Sequence, residues 1–278
     1  MLKRFLLASA LMVSGLALAA GTAPAAMISG HPVSPLRTPD GRVVRGSHDQ
    51  MYSSNWSGYA LTQYATGQQY TSAAGTWTVP TVAKAKLAGY SSSWVGIGGD
   101  CLNATCSSVD NTLIQLGTEQ DANRFGATYY AWYEMLPAAE TKITTLAVRP
   151  GDVINASLQV TSVSGSSQTW LLTLLDKTTG RSWSHSFAYA SSLASAEWIE
   201  EAPYSGSILP LADFRTATFD PGTVNGGQNP GLAEPDAIIM YDPHGQTSNV
   251  SSPDIDTDGF NACWGNHKTL TACSTPNS

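Results

Sequence analysis

Three acids in six residues, Ala196-Glu197-Trp198-Ile199-Glu200-Glu201, form the densest carboxylate cluster in a chain that is short of charge. In a strand, Glu197, Ile199 and Glu201 share one face, and Trp198 and Glu200 share the other. The plain reading is a strand end with solvated acids. Trp198 and Ile199 favour burial, however, and burial raises a carboxyl pKa into the range useful for general base and acid work. Distance excludes a glycosidase pair within this strand. Glu197 and Glu201 stand about 13 Å apart at ~3.3 Å per residue, whereas such a pair lies within roughly 5–9.5 Å. The second unusual side chain is Gln115, which interrupts the apolar run Leu113-Ile114-Gln115-Leu116. On a solvated sheet surface it would be ordinary. On a concave face its amide could hold a water and stabilise an oxyanion without titrating.

Other hydrolytic chemistries find little support. The chain has no Gly-x-Ser-x-Gly elbow, no His-Glu-x-x-His and no Asp-Thr/Ser-Gly pair. Its five histidines, His31, His48, His185, His244 and His267, are not tied by any motif to a Ser or Cys nucleophile. The run Asp254-Ile255-Asp256-Thr257-Asp258-Gly259 matches the opening of a calcium-binding loop. Its twelfth position is Gly265 rather than the bidentate Glu, and no flanking helices are evident. Asp254, Asp256 and Asp258 are therefore read as a solvated acidic turn and only a weak calcium candidate. No cofactor is expected.

The elements that must position these groups read as strands almost throughout. Short runs rich in Val, Ile, Thr, Tyr and Trp, separated by Gly, Pro, Ser and Asn, occupy Asn55–Thr62, Gly75–Val79, Ser92–Ile97, Thr112–Leu116 and Thr128–Met135. Further runs occupy Val153–Val163, Thr169–Asp176, Ser182–Ala188, Ala196–Glu201 and Ala237–Tyr241. Lys177-Thr178-Thr179-Gly180 marks a hairpin. Ten strands without intervening helices predict an all-β fold, an antiparallel β-sandwich of two curved sheets, concanavalin A-like or jelly-roll-like. One sandwich domain over residues 51–245 suffices, followed by a polar tail at 246–278.

The N-terminus combines Lys3 and Arg4 with an apolar run from Phe5 to Ala20 and Ala-x-Ala options. This is a signal-peptide pattern over residues 1–26, and the run is too interrupted for a membrane anchor. Residues 27–50, with three Pro and three Arg, read as a disordered leader or as a propeptide docking on an acidic body. Four cysteines in an exported chain allow three pairings, of which Cys101–Cys106 with Cys263–Cys273 is the local solution. Only 13% of residues are charged, and the formal net charge is −7. That balance argues against nucleic-acid partners, which require basic patches. A secreted monomer acting on an extracellular substrate fits best. A carbohydrate-active sandwich, glycosidase or lectin, is the alternative on the strength of its Trp- and Tyr-rich strands. A non-catalytic binding module ranks third.

Six segments in order resemble the glutamic peptidases, or eqolisins. They are Ser54-Asn55-Trp56, Thr78-Val79-Pro80, Trp94-Val95-Gly96-Ile97, Leu113-Ile114-Gln115-Leu116-Gly117, Ala131-Trp132-Tyr133-Glu134 and Ala196-Glu197-Trp198-Ile199-Glu200-Glu201. The resemblance implies a secreted, acid-acting endopeptidase that hydrolyses polypeptides with a Gln/Glu dyad, here Gln115 and Glu201. It also implies a substrate cleft containing Trp56, Trp94 and Glu134. Two positions depart from the fungal pattern: Gly98 stands where an Asp follows Trp-Val-Gly-Ile, and Glu119 stands where an Asp is usual. The loop between Trp94 and Gln115 is also longer and holds Cys101 and Cys106.

Overall fold

The computed structural model describes residues 34–39, 44–242, 245–265 and 270–277. The signal-peptide reading of residues 1–26 lies outside them, as do His31, His244 and His267. Among the described residues, fifteen strands make up almost all the regular structure. They are β1 (Met51–Ser53), β2 (Trp56–Thr62), β3 (Ser72–Thr78), β4 (Gly89–Gly98), β5 (Leu113–Ala122), β6 (Ala127–Met135), β7 (Thr141–Ile143) and β8 (Val153–Ser164). The chain continues through β9 (Ser167–Asp176), β10 (Arg181–Tyr189), β11 (Ser195–Glu201), β12 (Thr216–Val224), β13 (Ala237–Tyr241), β14 (Thr247–Val250) and β15 (Phe260–Gly265). The expected antiparallel β-architecture is present as one hydrogen-bonded path, β10-β9-β8-β3-β12-β15-β14-β13-β2-β11-β4-β5-β6-β7. Among the described strands, only β1 pairs with another strand in parallel, on β13.

The path folds over so that β3, β8 and β9 pack against β4, β5 and β11. Period-two alternation explains why. In β9, Trp170, Leu172 and Leu174 are buried while their neighbours are only half-buried. They meet Ile154, Ala156 and Leu158 of β8, and Val95, Ile97, Ile114 and Leu116 of β4 and β5, in one apolar core. Two indoles fasten the layers by hydrogen bonds. Trp198 Nε1 donates to the Ala74 carbonyl (2.8 Å), and Trp77 Nε1 donates to Thr118 Oγ1 (3.0 Å). Gly75 makes room for Trp198, since a Cβ there would lie 2.6 Å from the indole Cδ1.

By contrast, β2 and β11 are buried at every residue. One face of each belongs to the core, and the other lines a second apolar cluster containing Trp56, Trp94, Trp132 and Ile199. Five strands escaped the sequence reading. β1 and β7 have three residues each. β12 contains Pro221 at a register shift between Phe219 and Gly222, which breaks its alternation. β14 and β15 lie in the segment read as polar and irregular, yet they join β12 to β13 in the middle of the path. The disulfides are Cys101–Cys106 and Cys263–Cys273, the local pairing.

Replacing Trp198 with Ala removes a fully buried indole and its inter-layer hydrogen bond. The expected loss is about 3–5 kcal/mol of stability. Urea denaturation should show a lower midpoint for Trp198→Ala, and an unchanged midpoint would contradict this account of the core.

Candidate active site

In β11 the alternation sends Glu200 and Glu201 to opposite faces. Glu200 lies between Ser57 and Ser93 in register, and Ser93 Oγ donates to its Oε2. Burial pushes the Glu200 carboxyl up to about 8. Glu201 lies between Trp56 and Ser92 on the opposite face, with Glu197 and Ile199. Its Oε1 accepts from the Ser34 N–H (3.1 Å) and Asn55 Nδ2 (3.2 Å), and its Oε2 accepts from Trp94 Nε1 (3.0 Å). Burial raises the Glu201 pKa well above the usual carboxyl range, and the N–H donors act in the opposite direction. All three contacts are donors, an arrangement suited to the carboxylate.

Gln115 stands in register with Gly96 of β4 and Glu134 of β6, and Gly96 in turn with Glu197 of β11. Gln115 Nε2 donates to Glu134 Oε2 at 2.9 Å. Its Oε1 has no hydrogen-bond partner among the described residues. The Glu134 carboxyl is pushed up to about 9, first by burial and then by the charge of Glu201, with the Gln115 amide opposing. Glu134 is therefore protonated in acid and neutral water. Between this row and Glu201 runs the row Ile199–Trp94–Gly117–Trp132. Two glycines give the Trp94 side chain its space. A Cβ on Gly96 would lie 2.8 Å from Trp94 Cζ3, and one on Gly117 would lie 2.6 Å from Trp94 Cβ. Trp56 meets Trp94 edge to face, with centroids 5.0 Å apart.

The sequence-derived residues thus form two hydrogen-bonded halves on one sheet face. Gln115 is joined to Glu134, and Glu201 to Trp94, whose indole packs on Trp56. Sequence reasoning missed Asn55 as a Glu201 partner, although it lies inside the quoted Ser54-Asn55-Trp56 segment. It also missed Ser34, which only the folded chain brings to Glu201.

The departure at Gly98 has a structural explanation, and nothing in the structure explains Glu119. Gly98 has φ +93°, and a Cβ there would lie 2.0 Å from the Thr112 carbonyl oxygen and 3.1 Å from Asp110 Oδ2. No Asp fits at that position. A carboxylate still arrives from the longer loop. Asp110 accepts from the Thr112 N–H and Oγ1 (both 2.8 Å) and from Ser192 Oγ. Asp100, from the same loop, is pushed up to about 7 by burial. Burial raises Glu197, with the charges of Asp100 and Asp110 adding to it. Glu119 is buried beside Asp121 and Glu140, and burial followed by those two charges raises its pKa well above the usual value.

The acidic turn differs from its sequence reading. Asp254 and Asp258 converge with Asp220, whereas Asp256 is exposed and uses its carbonyl to accept from Asn229. Of the three acids in the weak calcium candidate, Asp254 and Asp258 lie together and Asp256 is not part of their group.

Residues 54–263 match the Peptidase A4 family. The chain is 31% identical to aspergillopepsin-2 of Aspergillus niger over 222 residues, covering 71% of this chain and 73% of that protein. It is 32% identical to scytalidopepsin B of Scytalidium lignicola over 176 residues, covering 59% of this chain and 60% of that protein. Its fold resembles the crystal structure of scytalido-glutamic peptidase with a peptide-based transition-state analogue. That likeness has a TM-score of 0.56 at 25% identity and covers 76% of this chain and 98% of the other.

The buried acids fix the sign of the pH dependence of stability. Glu134, Glu200 and Asp100, raised to about 9, 8 and 7 from ordinary values of 4.5, 4.5 and 3.8, bind protons more tightly folded than unfolded. Their contribution is complete below the unfolded values and is lost as pH rises toward the folded ones. The melting temperature should therefore fall as pH is raised from about 4 to about 9. Thermal melts followed by circular dichroism would show it, and a rise over that window would contradict the assignment.

Proposed function

The chain belongs to the Peptidase A4 family and is a peptide hydrolase, and from that premise we propose that Gln115 and Glu201 are its catalytic pair. One observation carries the reading. Gln115, hydrogen-bonded to Glu134, stands in register with Gly96 and Glu197, and Glu197 and Glu201 share one face of β11, so amide and carboxylate address the same sheet face. Ionised Glu201 takes a proton from a water, and the resulting hydroxide attacks the scissile carbonyl carbon. Gln115 keeps one amide hydrogen on Glu134 and offers the other to the oxyanion. Protonated Glu201 then gives its proton to the leaving nitrogen, which restores the carboxylate. Glu134, neutral and accepting from Gln115, fixes which way the amide points.

Polypeptides bound in the cleft beside Trp56 and Trp94 are the substrates in this reading, supported by the peptide-based analogue held by the structural relative. A carboxylate base works in acid, where a histidine base would be largely protonated. Export is supported by the N-terminal pattern and the two disulfides. Among the described residues no helix is long and apolar enough to cross a membrane. The carbohydrate-active alternative gives way to the family assignment.

Casein hydrolysis at acid pH tests the pair. Gln115→Ala and Glu201→Gln should each lower kcat by about 10²–10³-fold or more. Glu200→Gln, on the opposite face, should retain most activity, and chelators or serine-directed reagents should have no effect. Full activity in both dyad variants would refute the assignment.

A further inference from the structure

Glu197 shares a cross-strand row with Gln115, yet the reaction described above gives it no role. The row runs Glu197–Gly96–Gln115–Glu134 across β11, β4, β5 and β6, so all four positions address one side of the sheet. Gly96 is the position in that row without a side chain. A Cβ built on it would lie 3.1 Å from Glu197 Oε1 and 3.3 Å from Gln115 Cβ, beside the Trp94 ring edge. Glu197 and Gln115 therefore lean toward β4 from its two neighbouring strands and close over Gly96.

Glu197 is 0% exposed, and neither of its carboxyl oxygens has a hydrogen-bond partner among the described residues. Gln115 and Glu134 are also buried, and Gln115 Oε1 and Glu134 Oε1 are likewise without partners there. Buried polar atoms are nearly always paired, because an unpaired one has lost water for nothing. Burial raises the Glu197 pKa well above the usual carboxyl range, with the charges of Asp100 and Asp110 adding to the rise and the nearby Ser195 hydroxyl opposing it. In acid Glu197 is therefore a neutral carboxylic acid with one O–H to donate, and the Gln115 amide oxygen is an acceptor. The unpaired groups match, one donor to one acceptor, on either side of a residue that has only hydrogen to put between them.

We propose that Glu197 is a positioning residue for catalysis: its carboxyl O–H serves Gln115 Oε1 over Gly96, with one bridging water completing the link. The proposal rests on the assignment of Gln115 given above and adds a third acid to that site. The Glu134 contact holds the amide at Nε2, and the amide plane can still turn about it. A second contact at Oε1 stops that rotation and aims the remaining N–H at the place where the oxyanion forms. It also polarises the amide, which strengthens that N–H as a donor. Glu197 touches neither substrate nor the attacked carbon, so its effect belongs to turnover and not to substrate binding.

The test measures kcat and KM on a quenched fluorescent peptide at acid pH, normalised to folded protein by circular dichroism. Glu197→Leu, which has no donor, should lower kcat about tenfold at unchanged KM. Glu197→Gln keeps an N–H donor of similar reach and should recover most of the lost rate. In the Gln115→Ala background, Glu197→Leu should change kcat by less than about twofold, because the group that it positions is gone. A merely structural role would lower the folded fraction and leave kcat per folded molecule as it was. That result overturns the proposal, as does a Glu197→Gln rate no better than that of Glu197→Leu, or a tenfold loss that persists in Gln115→Ala. If Glu197→Leu fails to fold, Glu197→Met carries the same comparisons. Full activity in Gln115→Ala with Glu197 intact would instead refute the catalytic pair, so the two failures are distinguishable.

Discussion

A strand sends successive side chains to opposite faces, and in β11 both faces are buried. The rest of the molecule follows from that constraint. Trp198 must point into the inter-layer core, where it reaches β3, so Ile199 and Glu201 must point the other way. Ionised carboxylates in such a place carry a desolvation penalty of several kcal/mol each. The structure meets it in two ways. Glu134 and Glu200 hold their protons, and Glu201, raised by burial as well, gathers N–H donors from Asn55, Trp94 and Ser34 that act against that rise. The hydrogen bonding of β2 and β4 along both edges of β11 makes this face rigid enough for the arrangement to persist.

The fold was legible wherever alternation was long and apolar. β8 and β9 announce themselves through one-in-two burial, and the Lys177-Thr178-Thr179-Gly180 turn lies between β9 and β10 as the composition suggests. β14 and β15 were illegible because they are short and no alternation of apolar and polar residues marks Thr247–Val250 or Phe260–Gly265, and neighbouring strands bury them. At the site, Gln115 stood out as an amide in an apolar strand, and ordered motifs pointed to Glu201, Trp56 and Trp94. The motif glycines Gly96 and Gly117 were visible as letters, but only the packed Trp94 indole gives their reason. Contacts across long sequence separations, such as Ser34 with Glu201 and Asp110 with Ser192, leave no local trace.

The scarcity of charge also acquires a location. Composition gives a net charge of −7 without saying where the acids lie. Eleven of the chain's 21 acids are buried among the described residues, including every acid of β11. For acids whose pKa burial raises, such as Glu134 and Glu200, proton uptake in acid removes that desolvation cost inside the protein. The Arg215 guanidinium, paired with Asp213 at 3.5 Å, is open to solvent, which screens the pair.

The left-handed turn at Gly98 has a consequence for how this branch of the family is compared with its fungal relatives. Gly98 stands where the resemblance implies an aspartate, and in this chain Asp110 Oδ2 would lie 3.1 Å from a Cβ on Gly98, carried by the loop that holds the Cys101–Cys106 bridge. The two solutions cannot be mixed, because any side chain in place of Gly98 collides with the Thr112 carbonyl, and Asp110 occupies the adjoining space. Passage from one to the other requires the whole 98–112 segment to change together. Relatives with Gly at this position should therefore be sorted by the length of that loop, not by the missing letter.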